Sequence, residues 1–329
     1  MNVVLEMTSR TKKQHVVPRF YLNKFCDPGG LVWTYSSGNN PRADKPEATA
    51  VETNFYSPIG GTGERFDEVE KLLGAIEGNA APLWDKLTEG KVFKGEEREH
   101  IALFLAAQYL RSPSVVGAGA EMMAHLAHHT AQLIASDQEV HEQSVDRYEE
   151  ATGDVISPEE REKMRTFLND PSNFSISVLR SAGLPMLGGI GNLANIFLNM
   201  KWVVGRSKDQ HLITSDSPVT RVSDPATHRP FYGDGAFANK TVRVSFPLTP
   251  TRIVELTWQG EERERVVEIP KRMAREMNGL RAAQAERFVY ASLNDDGIVR
   301  LCDKWLDREK RPKIVTSSDV PSINVKRKL

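Results

Sequence analysis

Near Lys201 the hydrophobic period of this chain changes, and no other feature limits the fold as much. Upstream, Phe66, Val69, Leu73, Ile76, Ala80, Leu83 and Leu87 recur in steps of three and four, one apolar stripe of a helix. Downstream, residues 202–206, 211–214, 241–246 and 252–258 carry strand patterns broken by Pro247 and Pro250. A chain with a helical middle and sheet-forming ends is α+β, with helices and strands segregated rather than alternating.

Finer boundaries follow from local chemistry. The spacing predicts helices over 64–87, 96–111, 118–143, from 157 onward, and 175–200. Pro82 cannot donate to the carbonyl four residues back, so the first of these kinks near Gly78 and Asn79. Ser157-Pro158-Glu159-Glu160 is a capping box with proline at the first helical position. Residues 21–35 read as a hairpin through Gly29-Gly30, and 202–206 pairs with 211–214. After a helix from Lys271, a last hairpin joins 288–292 to 298–301 through Asn294-Asp295-Asp296-Gly297. Residues 1–60, 64–200 and 201–305 then form one α+β domain, and 306–329 is an irregular basic tail with Lys310, Arg311, Lys313 and Lys326-Arg327-Lys328. Such a tail is either a solvated end or a binding arm.

Composition closes off several classes of function. The net charge is −1 among 329 residues, so no global basic field marks nucleic-acid binding. Two cysteines, Cys26 and Cys302, stand far apart, which excludes a disulfide scaffold or zinc ribbon and fits a reducing cytoplasm. The first 13 residues have no apolar run of signal-peptide length. Residues 182–200 are uncharged, but Pro185 and glycines 188, 189 and 191 make them a buried core segment rather than a membrane span.

The chemistry-bearing candidates begin with Lys13-Gln14-His15-Val16-Val17-Pro18-Arg19-Phe20-Tyr21-Leu22. On a regular strand His15, Val17 and Arg19 share one face. Imidazole beside guanidinium suits an anion, because arginine binds a phosphate or carboxylate with two prongs and histidine moves a proton near neutral pH. Along the apolar helix around Ile101, His100, Phe104, Gln108 and Arg111 fall on one face. Buried polar groups there must find partners. Glu77 sits at the edge of an apolar stripe, either as the ion-pair partner of Arg19 or Arg111, or as a general base or metal ligand. Thr214-Ser215-Asp216-Ser217-Pro218 delivers a hydroxyl and a carboxylate at a strand end. Asp216 there is either catalytic or the acceptor of its own downstream amides. Asn278 reaches a site or caps a turn. Glu121, His125, His128 and His129 have helical spacing but lack the glutamate of a metalloprotease pattern, and read as surface histidines.

Three of these blocks together, KQHVVPRFYL, TNFY at Thr53 to Tyr56 and ITSDSPV at Ile213 to Val219, resemble the signature of domain of unknown function 4238. That resemblance runs from about Lys12 to about Leu301 and implies candidate positions without an activity. Taken together, His15, Arg19, Glu77, Gln108, Arg111, Ser215 and Asp216 supply one base, two cations and two carboxylates. They suit hydrolysis or transfer at a phosphate-containing substrate, of nuclease or phosphodiesterase type, with a magnesium or manganese ion on Glu77 and Asp216. The partner this implies is a nucleotide or nucleic acid, and not a membrane. The alternative is a non-enzymatic binding or regulatory module whose His/Arg/Glu/Asp network is structural.

Overall fold

Among the described residues the first element is strand β1 (Lys13–His15), which pairs antiparallel with a later strand. The extended run stops there, because Pro18 has no amide for a ladder and its carbonyl instead accepts from Tyr21 N and Leu22 N at 3.1 and 3.0 Å. Those two bonds make α1 (Arg19–Leu22), one turn of helix, where the pattern predicts strand. There is accordingly no hairpin over 21–35. Strand β2 (Val32–Tyr35) pairs with β3 (Arg42–Asp44), and β4 (Val51–Thr53) returns to β1. The computed structural model describes residues 13–306 apart from 54, 57–67, 92, 229–235, 261 and 263–265. Phe66, the start of the first predicted helix and the basic tail lie outside the described residues.

The middle is helical. Helix α2 (Glu68–Ala80) ends at a short turn over Ala81–Leu83, and α3 (Trp84–Thr88) resumes, so the break caused by Pro82 falls at Ala81. Helix α4 (Gly95–Leu110) is followed by α5 (Pro113–Ser136), α6 (Gln138–Thr152) and α7 (Pro158–Asn169). The helix predicted over 118–143 is therefore two: Asp137 leaves helical geometry and its carboxylate accepts from Val140 N at 3.1 Å, capping α6. The capping box of α7 forms as predicted, with Ser157 Oγ accepting from Glu160 N and Glu160 from Ser157 N.

Over 175–200 the periodicity overstates the helix. Residues Arg180–Gly189 wind as a 3-10 helix around Pro185, and only α8 (Ile190–Leu198) is α-helical. The glycine that matters is Gly183, not the 188–191 cluster. A Cβ on Gly183 would lie 1.9 Å from Val116 O of α5, whereas Gly188 and Gly191 have open space. No helix among the described residues is long and apolar enough to cross a membrane.

Strands β5 (Lys201–Ser207), β6 (Thr214–Ser215), β7 (Thr220–Val222), β8 (Arg243–Thr249), β9 (Arg252–Thr257) and β10 (Val266–Ile269) lead to α9 (Lys271–Gln284), β11 (Val289–Ala291) and α10 (Asp296–Trp305). One sheet has the order β10-β5-β9-β8-β7, with β10 parallel to β5 and the rest antiparallel. The other runs β3-β2-β11-β6 and is antiparallel. Two pairings differ from the pattern. β5 pairs β9 and β10 rather than 211–214, and the last predicted hairpin is a strand followed by a helix. Asp295 accepts from Gly297 N and Ile298 N at 2.6 and 3.3 Å, so Asn294-Asp295-Asp296-Gly297 caps α10 instead of turning a hairpin.

One continuous core holds all three regions, from Val16 through Trp84 and Phe104 to Phe246 and Tyr290. At its centre Tyr21, wholly buried, packs its ring 4.8 Å from Phe246 and 5.6 Å from Trp84. Its hydroxyl donates to Pro247 O at 2.8 Å and shares a 2.7 Å hydrogen bond with Thr214 Oγ1. Tyr21→Phe keeps the ring and strands both partners. The expected cost is about 2 kcal/mol, read as a lower denaturant midpoint at unchanged slope. A neutral substitution would show that water replaces the hydroxyl.

Candidate functional site

The three signature blocks meet in space. Tyr21 of the first block bonds Thr214 of the third, and Gln14 of the first accepts from Tyr56 N of the second at 2.7 Å. Gln14 also donates to Glu70 Oε2 at 3.0 Å. Strand alternation explains the choice: in the β1–β4 pair Gln14 stands opposite Glu52 and turns inward, while His15 stands opposite Val51.

His15 and Arg19 therefore do not join the inward groups. The strand ends at His15, so the shared His15–Val17–Arg19 face predicted for a regular strand does not exist. The His15 ring nitrogen Nε2 lies 3.3 Å from Pro46 O, and Arg19 Nε pairs with Glu47 Oε1 at 3.0 Å with both side chains half-exposed. Both lean on the Pro46–Ala48 turn.

Glu77 and Arg111 do meet. Arg111, at the end of α4 and 1% exposed, donates Nη1 to Glu77 Oε1 at 2.6 Å, while its Nε and Nη2 have no partner among the described residues. Gln108, three residues earlier on the same face, is as deeply buried, and neither atom of its amide is bonded among the described residues. His100, at the other end of that row, reaches back to Glu96 at 3.5 Å. The Tyr56 phenol, fully buried beside them, is held well above its usual range, with Glu77 and Glu52 adding to the burial and Arg111 opposing it. From the helix side, Ser112 Oγ, Ser114 Oγ and Ser217 Oγ form a chain of hydrogen bonds at 3.2 and 3.0 Å that leads to the third block.

Asp216 is the best-held group of that block. Its Oδ1 accepts from Glu286 N at 2.8 Å, its Oδ2 from Arg287 N and Phe288 N at 2.7 and 3.0 Å, and its own amide donates to Phe288 O. These are downstream amides, though 70 residues away rather than in a local turn. Burial outweighs the three donors and pushes the carboxyl up to about 6. Ser215, fully buried, accepts from Ser217 N at 3.2 Å and serves the turn. Asn278 bridges the strand entrance, accepting from Ile213 N and donating to His211 O. Arg281, buried without a carboxylate partner, donates to Pro218 O and Ser245 O and is lowered to about 10 by burial.

Beside Asp216 lies a cavity of about 50 Å³ lined by Thr34, Arg42, Glu52, Arg287 and Tyr290 among others. Thr34 Oγ1 and Arg287 Nε are buried there with no partner among the described residues. Arg287 Nη2 donates to Glu52, and Arg180 stands 3.5 Å from the same carboxylate. The Phe288 ring has Arg42 and Arg287 at 6.0 and 5.3 Å. Burial together with the charges of Asp216 and Glu52 holds the Tyr290 phenol far above its ordinary value. Two guanidiniums, two carboxylates and two hydroxyls thus converge on a space that fits one or two waters.

None of Thr34, Arg42, Glu52, Arg287 and Tyr290 is a candidate on sequence grounds. The alternation of Glu52 inside β4 and of Tyr290 inside β11 was a usable signal for inward-facing polar groups. Nothing local pairs Glu52 with Arg287, 235 positions on. Glu77 and Asp216 take different partners, and among the described residues no three His, Cys, Asp or Glu side chains come together as a metal-binding group. His125, His128 and His129 line a separate groove. Cys302 is buried, and burial and Asp303 push its thiol up to about 12, which leaves no thiolate for nucleophilic work.

No curated protein and no solved structure matches this chain. A family model described as "Protein of unknown function (DUF4238)" matches residues 13–295, which include all three blocks and every group around the cavity. The chain belongs to the DUF4238 family.

Proposed function

We propose that the chain is a hydrolase acting on a phosphate-bearing substrate, a nucleotide or a nucleic-acid end, with the Asp216 cavity as its reaction site. The observation that carries this reading is the cavity itself. Arg42, Arg287, Asp216 and Glu52 face one small space, and two polar atoms there lack any protein partner. The phosphate sits at the mouth of the cavity, where the exposed Arg42 and the partly exposed Arg287 bind its non-bridging oxygens and offset charge that builds as the bond breaks. The water inside the cavity is the nucleophile. Asp216, with a pKa of about 6, is mostly ionised at neutral pH yet basic enough to take a proton from a water held beside it. Glu52 positions Arg287, and Tyr290 stays protonated as a donor. A magnesium or manganese ion enters as a variable of the test, and none of these roles is assigned to it.

The experiment is turnover of phosphomonoesters, phosphodiesters, nucleotides and short oligonucleotides, with and without magnesium or manganese. Arg42 suits the decisive variant because its side chain is 66% exposed and the fold does not rest on it. Arg42→Ala should lower kcat/KM by about a hundredfold with the melting temperature little changed. Turnover that survives this variant removes the cavity from the mechanism. Absence of turnover, with no thermal shift by phosphate or nucleotides, leaves the non-enzymatic module as the better account. The three amides on Asp216 favour that second reading, since they make the same carboxylate a structural fastener.

A further inference from the structure

Buried polar side-chain atoms in folded proteins nearly always have a partner. Among the described residues seven have none, and four of those seven lie on one turn at the end of α4. They are Oε1 and Nε2 of Gln108 and Nε and Nη2 of Arg111, in two residues each 1% exposed. Fraying does not explain them, since Phe104, Leu105, Ala106 and Ala107 just before are buried as well. Two neighbours complete the group. Glu77 accepts from Arg111 Nη1 at 2.6 Å and, at 28% exposed, is where the group meets solvent. The Tyr56 phenol stands beside Arg111, and burial keeps it protonated. Its hydroxyl makes a long bond to the His15 carbonyl, at 3.5 Å. None of these four residues lines the cavity beside Asp216.

We propose that the end of α4 is a second binding site, taking a small protonated oxyanion of which inorganic phosphate is the simplest. The free atoms define the ligand. Arg111 Nε and Nη2 form one edge of the guanidinium, and their parallel N–H bonds match two oxygens of an oxyanion. Glu77 holds the remaining nitrogen, so it fixes the plane of the fork and leaves that edge clear. Gln108 Nε2 and the Tyr56 hydroxyl add two further donors. Gln108 Oε1 only accepts, so the ligand must also present a hydrogen. Phosphate carries one at neutral pH, whereas sulfate and carboxylates do not. Charge does not forbid it, because the carboxylate that balances Arg111 is partly screened by water. Without an occupant, each free atom gives up its hydration with nothing in return. The site stands apart from the reaction proposed at Asp216 and does not rest on it.

Calorimetric titration of the full chain with inorganic phosphate, sulfate and acetate at neutral pH tests this, with thermal melts in parallel. Phosphate should bind at least about tenfold more tightly than either other anion. Gln108→Leu and Arg111→Lys should each weaken phosphate by at least about tenfold. Leucine has no amide, and lysine keeps a cation for Glu77 without the fork. Arg42→Ala removes an arginine from the Asp216 cavity and should leave this binding in place. In phosphate-free buffer Gln108→Leu should melt no lower than the wild type, because it takes two unpaired polar atoms out of an apolar helix. Absence of phosphate binding overturns the inference. So does binding that survives both α4 variants, that Arg42→Ala abolishes, or that sulfate matches. A clear loss of melting temperature in Gln108→Leu without phosphate also overturns it, since the amide then already has its partners.

Discussion

Asp216→Ala is expected to lower the unfolding free energy by roughly 3–5 kcal/mol at pH 7, because it strands three buried amides at about 1–3 kcal/mol each and the adjacent cavity lets water recover part of the loss. The sign of its pH dependence is the sharper part. The folded carboxyl titrates near 6 against an ordinary 3.8, so the native state holds the proton more tightly than the unfolded chain. Stability from Asp216 is then fully present below about pH 4 and declines as pH rises through about 6, by roughly 3 kcal/mol. The gap between the wild type and Asp216→Ala should therefore widen by about that amount from pH 7 to pH 4 in urea unfolding. A gap that narrows instead would mean that the three donors outweigh burial and that the carboxyl titrates below its usual value.

Gly183→Ala should cost about 3 kcal/mol or more, with no effect traceable to a lost contact. The added Cβ would sit 1.9 Å from Val116 O and 2.9 Å from Ala120 N, both backbone atoms of α5 that no rotamer change can move. The Arg180–Gly189 segment and α5 must separate, which places the cost at or beyond the upper end of overpacking. Gly119 faces the same contact, but its nearest neighbour is the flexible Met186 side chain at 2.8 Å, so Gly119→Ala is milder. Gly188→Ala meets nothing within 4 Å and should be neutral or slightly stabilising. Thermal melts of the three variants give the order directly; equal losses would place the effect in helix propensity rather than in the close approach.

How far the sequence discloses this fold depends on the length of each signal. The stripe of α2 and the strands β8 and β9 span enough residues for a period to show, and the capping box of α7 is legible from residue types at fixed spacing. Helix α1 has four residues, too few for a period, and the aromatic run around it favours strand. Asn294-Asp295-Asp296-Gly297 misleads because the same short polar side chains that turn hairpins also cap helices, and only Ile298, Cys302 and Leu306 buried on one face decide between them. Within the site, Glu77 with Arg111 was among the pairings open from chain position alone. His15 and Arg19 turn elsewhere because the strand ends at His15 and a turn of helix begins at Arg19. Arg42, Glu52 and Arg287 are ordinary charged residues until β3, β4 and the approach to β11 bring them to one cavity.

The bonds that tie the blocks together also determine how late this chain can complete its core. Tyr21 waits for Thr214 and Pro247, 193 and 226 residues on, Trp84 for Leu248, and β2 for β11. Closure of loops that long precedes any of the contacts that reward it, so folding should be slow for a chain so rich in helix. During synthesis Gln14 meets Tyr56 and Glu70 within 42 and 56 residues, but the Tyr21 hydroxyl has neither of its partners until 193 further residues have been made. The first block's aromatic run, Phe20, Tyr21 and Phe25, can meet Trp84 and Phe104 early but lacks the Phe246 side of its packing for that whole interval, which makes this segment a natural client for chaperones that bind apolar chain.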